Sequence, residues 1–167
     1  MPPPAPRTHA PLPLCHRTCL IYLDEANEAL HHWHKALQIA EEIEDVDNQI
    51  DLVNKLGALF EQHGEHHRAI GCLNKLLQIH HEQGDKDAEL AVLGSLASIS
   101  YETEDYEMAV RHYEEILEKA IELEDRELQG KVYSNLGTAH QELENVEEAQ
   151  KFYQQSLEIA LEVHTRP

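Results

Sequence analysis

The chain has 167 residues, of which 41% are hydrophobic, so it is long enough for one domain and apolar enough for a core. Thirteen Lys and Arg residues against 32 Asp and Glu residues give a net charge of −19 with histidine neutral. This charge argues against binding to nucleic acid or to an anionic membrane, because both require a clustered positive field.

Two further features bear on location. No apolar run approaches the ~18 residues of a membrane-spanning helix, which predicts a soluble protein. The three cysteines are too few, and odd in number, for a secreted disulfide framework. We therefore expect a cytoplasmic protein.

The first 13 residues differ from the rest of the chain. They contain six of the seven prolines, and the seventh is Pro167, so residues 14–166 contain none. Because proline breaks helix interiors, this distribution permits helix almost throughout the body. The sequence predicts a disordered Pro-rich leader over 1–13 and an all-α body over 14–167.

The body aligns with itself when it is shifted by 40 residues, which predicts four units at about 14–46, 47–86, 87–126 and 127–165. Each recurring column holds an apolar, small or acidic residue at a fixed place in the unit. The columns include Leu56, Leu96 and Leu136; Gly57, Ala97 and Gly137; Ala69, Ala109 and Ala149; Leu77, Leu117 and Leu157; and Asp45, Asp85 and Asp125.

Each unit has the pattern of two helices joined by a polar turn. The first helix has amphipathic spacing, and a small residue after its central leucine lets the partner helix approach closely. The recurring Asp stands where one helix stops or the next is N-capped. In unit one, the pattern predicts a second helix from Asp24 to about Ile43 and a short first helix reaching back to about Leu14.

A Leu-Gly pair followed by an aromatic residue, and then Ala-x3-aromatic, resembles the tetratricopeptide repeat (TPR) signature. Leu56-Gly57-x2-Phe60, Ala109-x3-Tyr113 and Ala149-x3-Tyr153 carry it, while Ala97, Ser100 and His140 depart from it. The 40-residue spacing and Asn135-Leu136-Gly137 are similar to Pins-type adaptors and, less closely, to kinesin light chains. The resemblance implies a right-handed helix-turn-helix solenoid of about 3.5 repeats whose first helices line a concave peptide-binding groove.

The face of each first helix opposite its packing stripe is mostly small or polar, which suits hydrogen bonding to an extended peptide. In Pins-type repeats an Asn before the Leu holds the peptide backbone; Asn135 matches that place. Groove-side glutamates favour a basic partner. The predicted groove residues are Asn54, Lys55, Glu61, Ser95, Tyr101, Glu102, Lys131, Asn135, Thr138 and Glu142.

The predicted function is a protein-interaction scaffold or adaptor that binds a peptide segment of its partner in this groove. The alternative is a structural role, because the last helix is apolar on more than one face and lacks the polar cap that solenoids normally need. The chain would then oligomerise or dock through this C-terminal helix, as a segment or variant of a longer array. The apolar residues of that helix are Phe152, Tyr153, Leu157, Ile159, Ala160, Leu161 and Val163.

Thirteen histidines, clustered at 31–34, 63–67 and 80–81, leave metal binding as an alternative to a solvated polar surface. Adjacent histidines point about 100° apart on a helix and chelate poorly, so we expect no metal. No Gly-x-Ser-x-Gly, phosphate-cradling glycine loop or His-Glu-x2-His occurs, and Cys72 falls on a packing face. The sequence therefore predicts neither an enzyme nor a cofactor.

Overall fold

The structure is a computed structural model that describes residues 14–165 of the chain, and the side-chain surroundings of residues 28–163. The predicted leader over 1–13 lies outside the described residues. The described part is an array of seven helices. They are α1 (Leu14–Glu42), α2 (Val46–Gln62), α3 (His66–Gln83), α4 (Lys86–Glu102), α5 (Tyr106–Glu122), α6 (Arg126–Glu142) and α7 (Val146–Thr165).

The first unit differs from the expectation drawn from the sequence. Helix α1 is continuous over 29 residues, so the prediction of two separate helices in unit one is wrong. The other turns of the array contain a residue of left-handed backbone conformation, twice a glycine. The equivalent stretch, Leu23-Asp24-Glu25, contains neither glycine nor proline. Four of the other turns have glutamate at this place, so the residues of this stretch alone do not explain the continuous helix.

Each helix packs on its neighbours in sequence, from α1 against α2 to α6 against α7. One apolar core runs through the described part from α2 to α6. The predicted leucine column lies at its centre, with Leu56, Leu96 and Leu136 at most 2% exposed. An all-α array of helix-turn-helix units is therefore confirmed.

The recurring aspartates cap the first helices of units two, three and four, as predicted. The carboxylates of Asp45, Asp85 and Asp125 accept hydrogen bonds of 3.2, 3.1 and 2.9 Å from the backbone N–H three residues later. Asp105 caps α5 in the same way, which the 40-residue alignment did not predict. A residue with positive φ precedes each turn's last residue and recurs every 20 residues, at Glu44, Gly64, Gly84, Glu104, Glu124 and Glu144.

These turn positions predict opposite effects for two substitutions. Gly84 has φ +70° and open space where an alanine methyl group would lie, so Gly84→Ala is strained only through its backbone. We expect this change to lower the free energy of unfolding by about 1 kcal/mol. Glu124 has φ 54°, so Glu124→Gly relieves strain and should be neutral or stabilising by up to about 0.5 kcal/mol. Urea denaturation measures both; a Gly84→Ala variant as stable as wild type would contradict the argument.

Candidate functional site

A cleft of about 590 Å³ opens between the first helices of units two, three and four. We call it the α2–α4–α6 cleft. Helix α2 contributes Glu61, α4 contributes Ser95 and Glu102, and α6 contributes Lys131 and Asn135. Five of the ten residues predicted for the groove thus line one cleft, although they come from three different units.

His66 of α3 also lines the cleft, and the rest of the cleft surface is apolar or small. Small α4 residues keep one wall open, and apolar side chains from α4, α5 and α6 form the floor, which the sequence pattern did not assign to the site. The small residues are Ala91, Gly94 and Ser98, and the apolar ones are Leu90, Ile99, Tyr113, Ile116, Leu128 and Val132. Such a surface offers both polar contacts and room for an apolar side chain.

Two predicted groove residues on α2 lie outside the lining of this cleft. Asn54 and Lys55 are exposed, and the Lys55 ammonium lies 2.5 Å from the Asp51 carboxylate one turn earlier. This exposed pair contributes little to stability. It partly neutralises the charge that Lys55 would offer a ligand.

The remaining predicted residues, Tyr101, Thr138 and Glu142, also lie outside the cleft lining but join α4 to α6 and α6 to α7. The Tyr101 hydroxyl donates to the Glu142 carboxylate at 3.4 Å. The Thr138 hydroxyl donates to the Ser134 carbonyl at 3.0 Å and accepts from Tyr153 at 3.2 Å. Thr138 is therefore occupied by contacts within the protein.

Charge is distributed unevenly in the cleft. Glu61 and Glu102 are exposed in the last turns of α2 and α4, where the helix dipole is also negative. Neither forms an ion pair among the described residues. Glu102 and Glu142 are equivalent by the 40-residue shift, whereas Glu61 is equivalent to Tyr101. The edge formed by the C-terminal turns is therefore acidic.

The other edge of the cleft carries the amide and the ammonium group. Asn135 is exposed, and its side chain has no hydrogen-bond partner in the described part of the protein. Lys131 lies 2.7 Å from Glu127, and the hydrogen bond to this carboxylate raises the pKa of Lys131. Asn135 thus offers a donor and an acceptor, whereas the charge of Lys131, like that of Lys55, is partly neutralised by the carboxylate one turn earlier.

The histidine clusters and Cys72 do not come together in a metal-binding arrangement in the described part. No group of three or more His, Cys, Asp or Glu residues there is placed to hold a metal ion. Cys72 is half-buried, and burial raises the pKa of its thiol, which disfavours the reactive thiolate. Among the described helices, none is both long and apolar enough to cross a membrane.

Comparisons with known proteins find a match to a known repeat over part of the chain. The family model of the tetratricopeptide repeat matches residues 88–162. A comparison with curated proteins gave no match. The crystal structure of BtubC (BKLC) from P. vanneervenii is similar, with TM-score 0.69 and 18% identity over 86% of this chain and 60% of that chain. The apo form of RapI is similar too, with TM-score 0.69 and 19% identity over 84% of this chain and 40% of RapI.

The chain thus spans less than two thirds of either structure, and likeness at this identity shows the fold alone. The family match covers units three and four, and both structures extend the likeness to most of the chain. Arrays of stacked helix pairs present extended concave surfaces of the kind that bind other molecules. Residues 88–162 thus match the tetratricopeptide repeat model, and the described array has the fold of the two similar structures.

Proposed function

We propose that the protein is an interaction scaffold that holds an extended peptide segment of a partner in the α2–α4–α6 cleft. The observation that carries the proposal is the convergence of Glu61, Ser95, Glu102, Lys131 and Asn135 on one opening. The amide of Asn135 can donate to and accept from a peptide backbone, which is the pairing an extended segment needs. The open wall along α4 leaves room for a side chain of the peptide.

The charges of the cleft favour a partner segment with basic residues. Glu61 and Glu102 have no ion-pair partner in the described part of the protein, and they add to a chain with net charge −19. A Lys or Arg of the peptide would pair with this edge, and an acidic segment would be repelled. Lys131 on the opposite edge would donate to a backbone carbonyl or to a single acidic side chain.

The proposal predicts the effect of removing both polar groups of α6. Linear 16-residue peptides selected from a phage-displayed library would be synthesised and titrated by fluorescence anisotropy. The Lys131→Ala/Asn135→Ala variant is expected to bind them at least tenfold more weakly, which is about 1.4 kcal/mol. Both side chains are exposed, so the fold should not change.

A matched control uses the same two residue types elsewhere on the surface. Lys86 and Asn74 are exposed and do not line the cleft. The Lys86→Ala/Asn74→Ala variant should bind within twofold of wild type. Equal binding by wild type and by the cleft variant, or equal losses in both variants, would show that the selected peptides bind elsewhere.

A further inference from the structure

The outer face of α7 carries an apolar seam. Val146, Tyr153, Leu157 and Leu161 recur at helical spacing and are 58, 37, 60 and 58% exposed. Residues at this spacing lie along one side of a helix. We call these four residues the α7 seam.

At Tyr153 and Leu157 the seam recurs twice inside the array, where another helix covers it, whereas the counterparts of Leu161, His81 and Ile121, are exposed there. Leu77 of α3 and Leu117 of α5 are equivalent to Leu157, yet both are partly buried against the core. Helix α4 packs on α3, and α6 packs on α5. The array therefore shows twice what covers this face, and in both cases it is the first helix of the following unit.

The α7 seam is narrower than its two internal counterparts. Ser156 stands where the earlier units have Leu76 and Ile116, and its hydroxyl donates to the Gly130 carbonyl at 2.8 Å. Gln150 stands where they have Ile70 and Val110. Polar residues thus replace two of the apolar positions. The remaining strip is about one side chain wide, which fits a single helix better than a further repeat unit.

The charge along the seam favours a basic helix over a second copy of the chain. Glu147 follows Val146 and Glu158 follows Leu157, so carboxylates lie along one edge of the seam. Helix α7 as a whole has four glutamates against Lys151. A second copy of the chain would bring the same acidic edge against this one, which is unfavourable. A basic helix would bring opposite charge.

We propose that the α7 seam binds a basic amphipathic helix of a partner protein. Leucine-like side chains of that helix would cover Tyr153 and Leu157, as Tyr113 and Leu117 of α5 are covered within the array, and would extend along α7 to Leu161. Its Lys or Arg residues would pair with Glu147 and Glu158. This site is separate from the α2–α4–α6 cleft and does not depend on peptide binding there.

The probe is an 18-residue peptide of Leu and Lys with its leucines at positions i, i+3 and i+4, titrated by fluorescence anisotropy. A scrambled peptide of the same composition should bind at least tenfold more weakly. The Leu157→Gln/Leu161→Gln variant keeps the charge and the helix propensity of α7. Its affinity for the Leu/Lys peptide should also fall at least tenfold. Ile121→Gln/Leu123→Gln is the matched control on other exposed apolar residues and should bind within twofold of wild type.

Further measurements distinguish a basic helix on the α7 seam from binding in the α2–α4–α6 cleft and from a second copy of the chain. Glu147→Lys/Glu158→Lys should weaken binding at least fivefold, whereas Asn135→Ala should leave it unchanged. The proposal is overturned if the scrambled peptide binds equally well, or if Asn135→Ala reduces binding while the α7 variants do not. Light scattering should show a monomer at each concentration. A dimer that Leu157→Gln/Leu161→Gln dissociates would mean that a second copy covers the seam, which also overturns the proposal.

Discussion

Replacing Lys119 with Met should lower the free energy of unfolding by about 2 kcal/mol at pH 7. The Lys119 ammonium of α5 lies 2.5 Å from the carboxylate of Glu89 on α4, whose side chain is 5% exposed. Methionine would leave this carboxylate buried without its main partner. Complete loss of a buried partner costs about 3–5 kcal/mol, and Lys119 is 29% exposed, so water offsets part of the loss.

The same pair gives the stability a defined pH dependence. The hydrogen bond from Lys119 lowers the pKa of Glu89, and this outweighs burial, which raises it; His81, 3.0 Å from the carboxylate, lowers it further. The pKa of Glu89 is lower in the folded state than in the unfolded state. The stabilisation by the Glu89–Lys119 pair is therefore complete above the pKa of the unfolded state, and it is lost as pH falls through the pKa of the folded state. The difference between wild type and Lys119→Met should therefore shrink below about pH 4.

Two variants make this test specific. Lys86 pairs with Glu122 at 3.7 Å and both side chains are more than half exposed, so Lys86→Met should change the stability by less than about 0.5 kcal/mol. Glu89→Gln added to Lys119→Met should recover at least about 1 kcal/mol, because no charge remains buried. Urea denaturation at several pH values measures all three. Equal losses for Lys119→Met and Lys86→Met would refute the argument.

The Glu89–Lys119 pair also has a signature in the sequence of the units. Gln49 and Gln129 occupy the position of Glu89 in the other units, and their amides donate to the carbonyls of Ala40 and Ala120 at 3.1 and 2.9 Å. A carboxylate cannot donate in this way. Position 119 is Ile in the adjacent units, so Gln to Glu and Ile to Lys change together in unit three. Such paired departures from the repeat predict contacts.

A second departure has the same explanation. His140 and Ser100 replace the aromatic Phe60 of unit two, which weakened the match to the repeat signature. In unit four the aromatic contact persists, because His140 stacks on Phe152 with ring centroids 5.2 Å apart. In unit three, Ser100 lies 3.5 Å from His112, which is equivalent to Phe152. The residue that contacts the signature position thus changes together with it, and the two side chains remain in contact in both units.

Periodicity predicted most of the fold because packing repeats with the sequence. The leucine column is buried, the aspartate column caps helices, and the turns follow the predicted polar segments. The cleft was only partly predicted. A helical wheel places Asn135 and Lys131 on the open face, but it cannot show that floor residues such as Tyr113 come from the second helix of another unit. That depends on how neighbouring helices are spaced and rotated.

Gly137→Ala should lower the free energy of unfolding by about 1–2 kcal/mol, although alanine favours helix over glycine by about 1 kcal/mol. An added Cβ at Gly137 would lie 2.7 Å from two ring carbons of Tyr153 and 3.1 Å from a third, so the whole ring must move. The Tyr153 hydroxyl also bonds to Thr138 and Gln141, at 3.2 and 3.1 Å, and moving the ring breaks these bonds.

Gly57→Ala is the matched substitution in unit two and should have the opposite sign. There the added Cβ would meet only the Cβ of Cys72, at 3.4 Å, which is ordinary contact. We expect up to about 1 kcal/mol of stabilisation from helix propensity.

Unit three combines Ala97 with Tyr113, so the helix spacing can adapt to this pair of residues. The loss of stability in Gly137→Ala should therefore stay below that of a rigid clash. Tyr153→Leu, which restores the residue of unit two, should remove most of the Gly137→Ala penalty in the double variant. If both single variants shift the urea midpoint in the same direction, close approach of Tyr153 does not control the α6–α7 spacing.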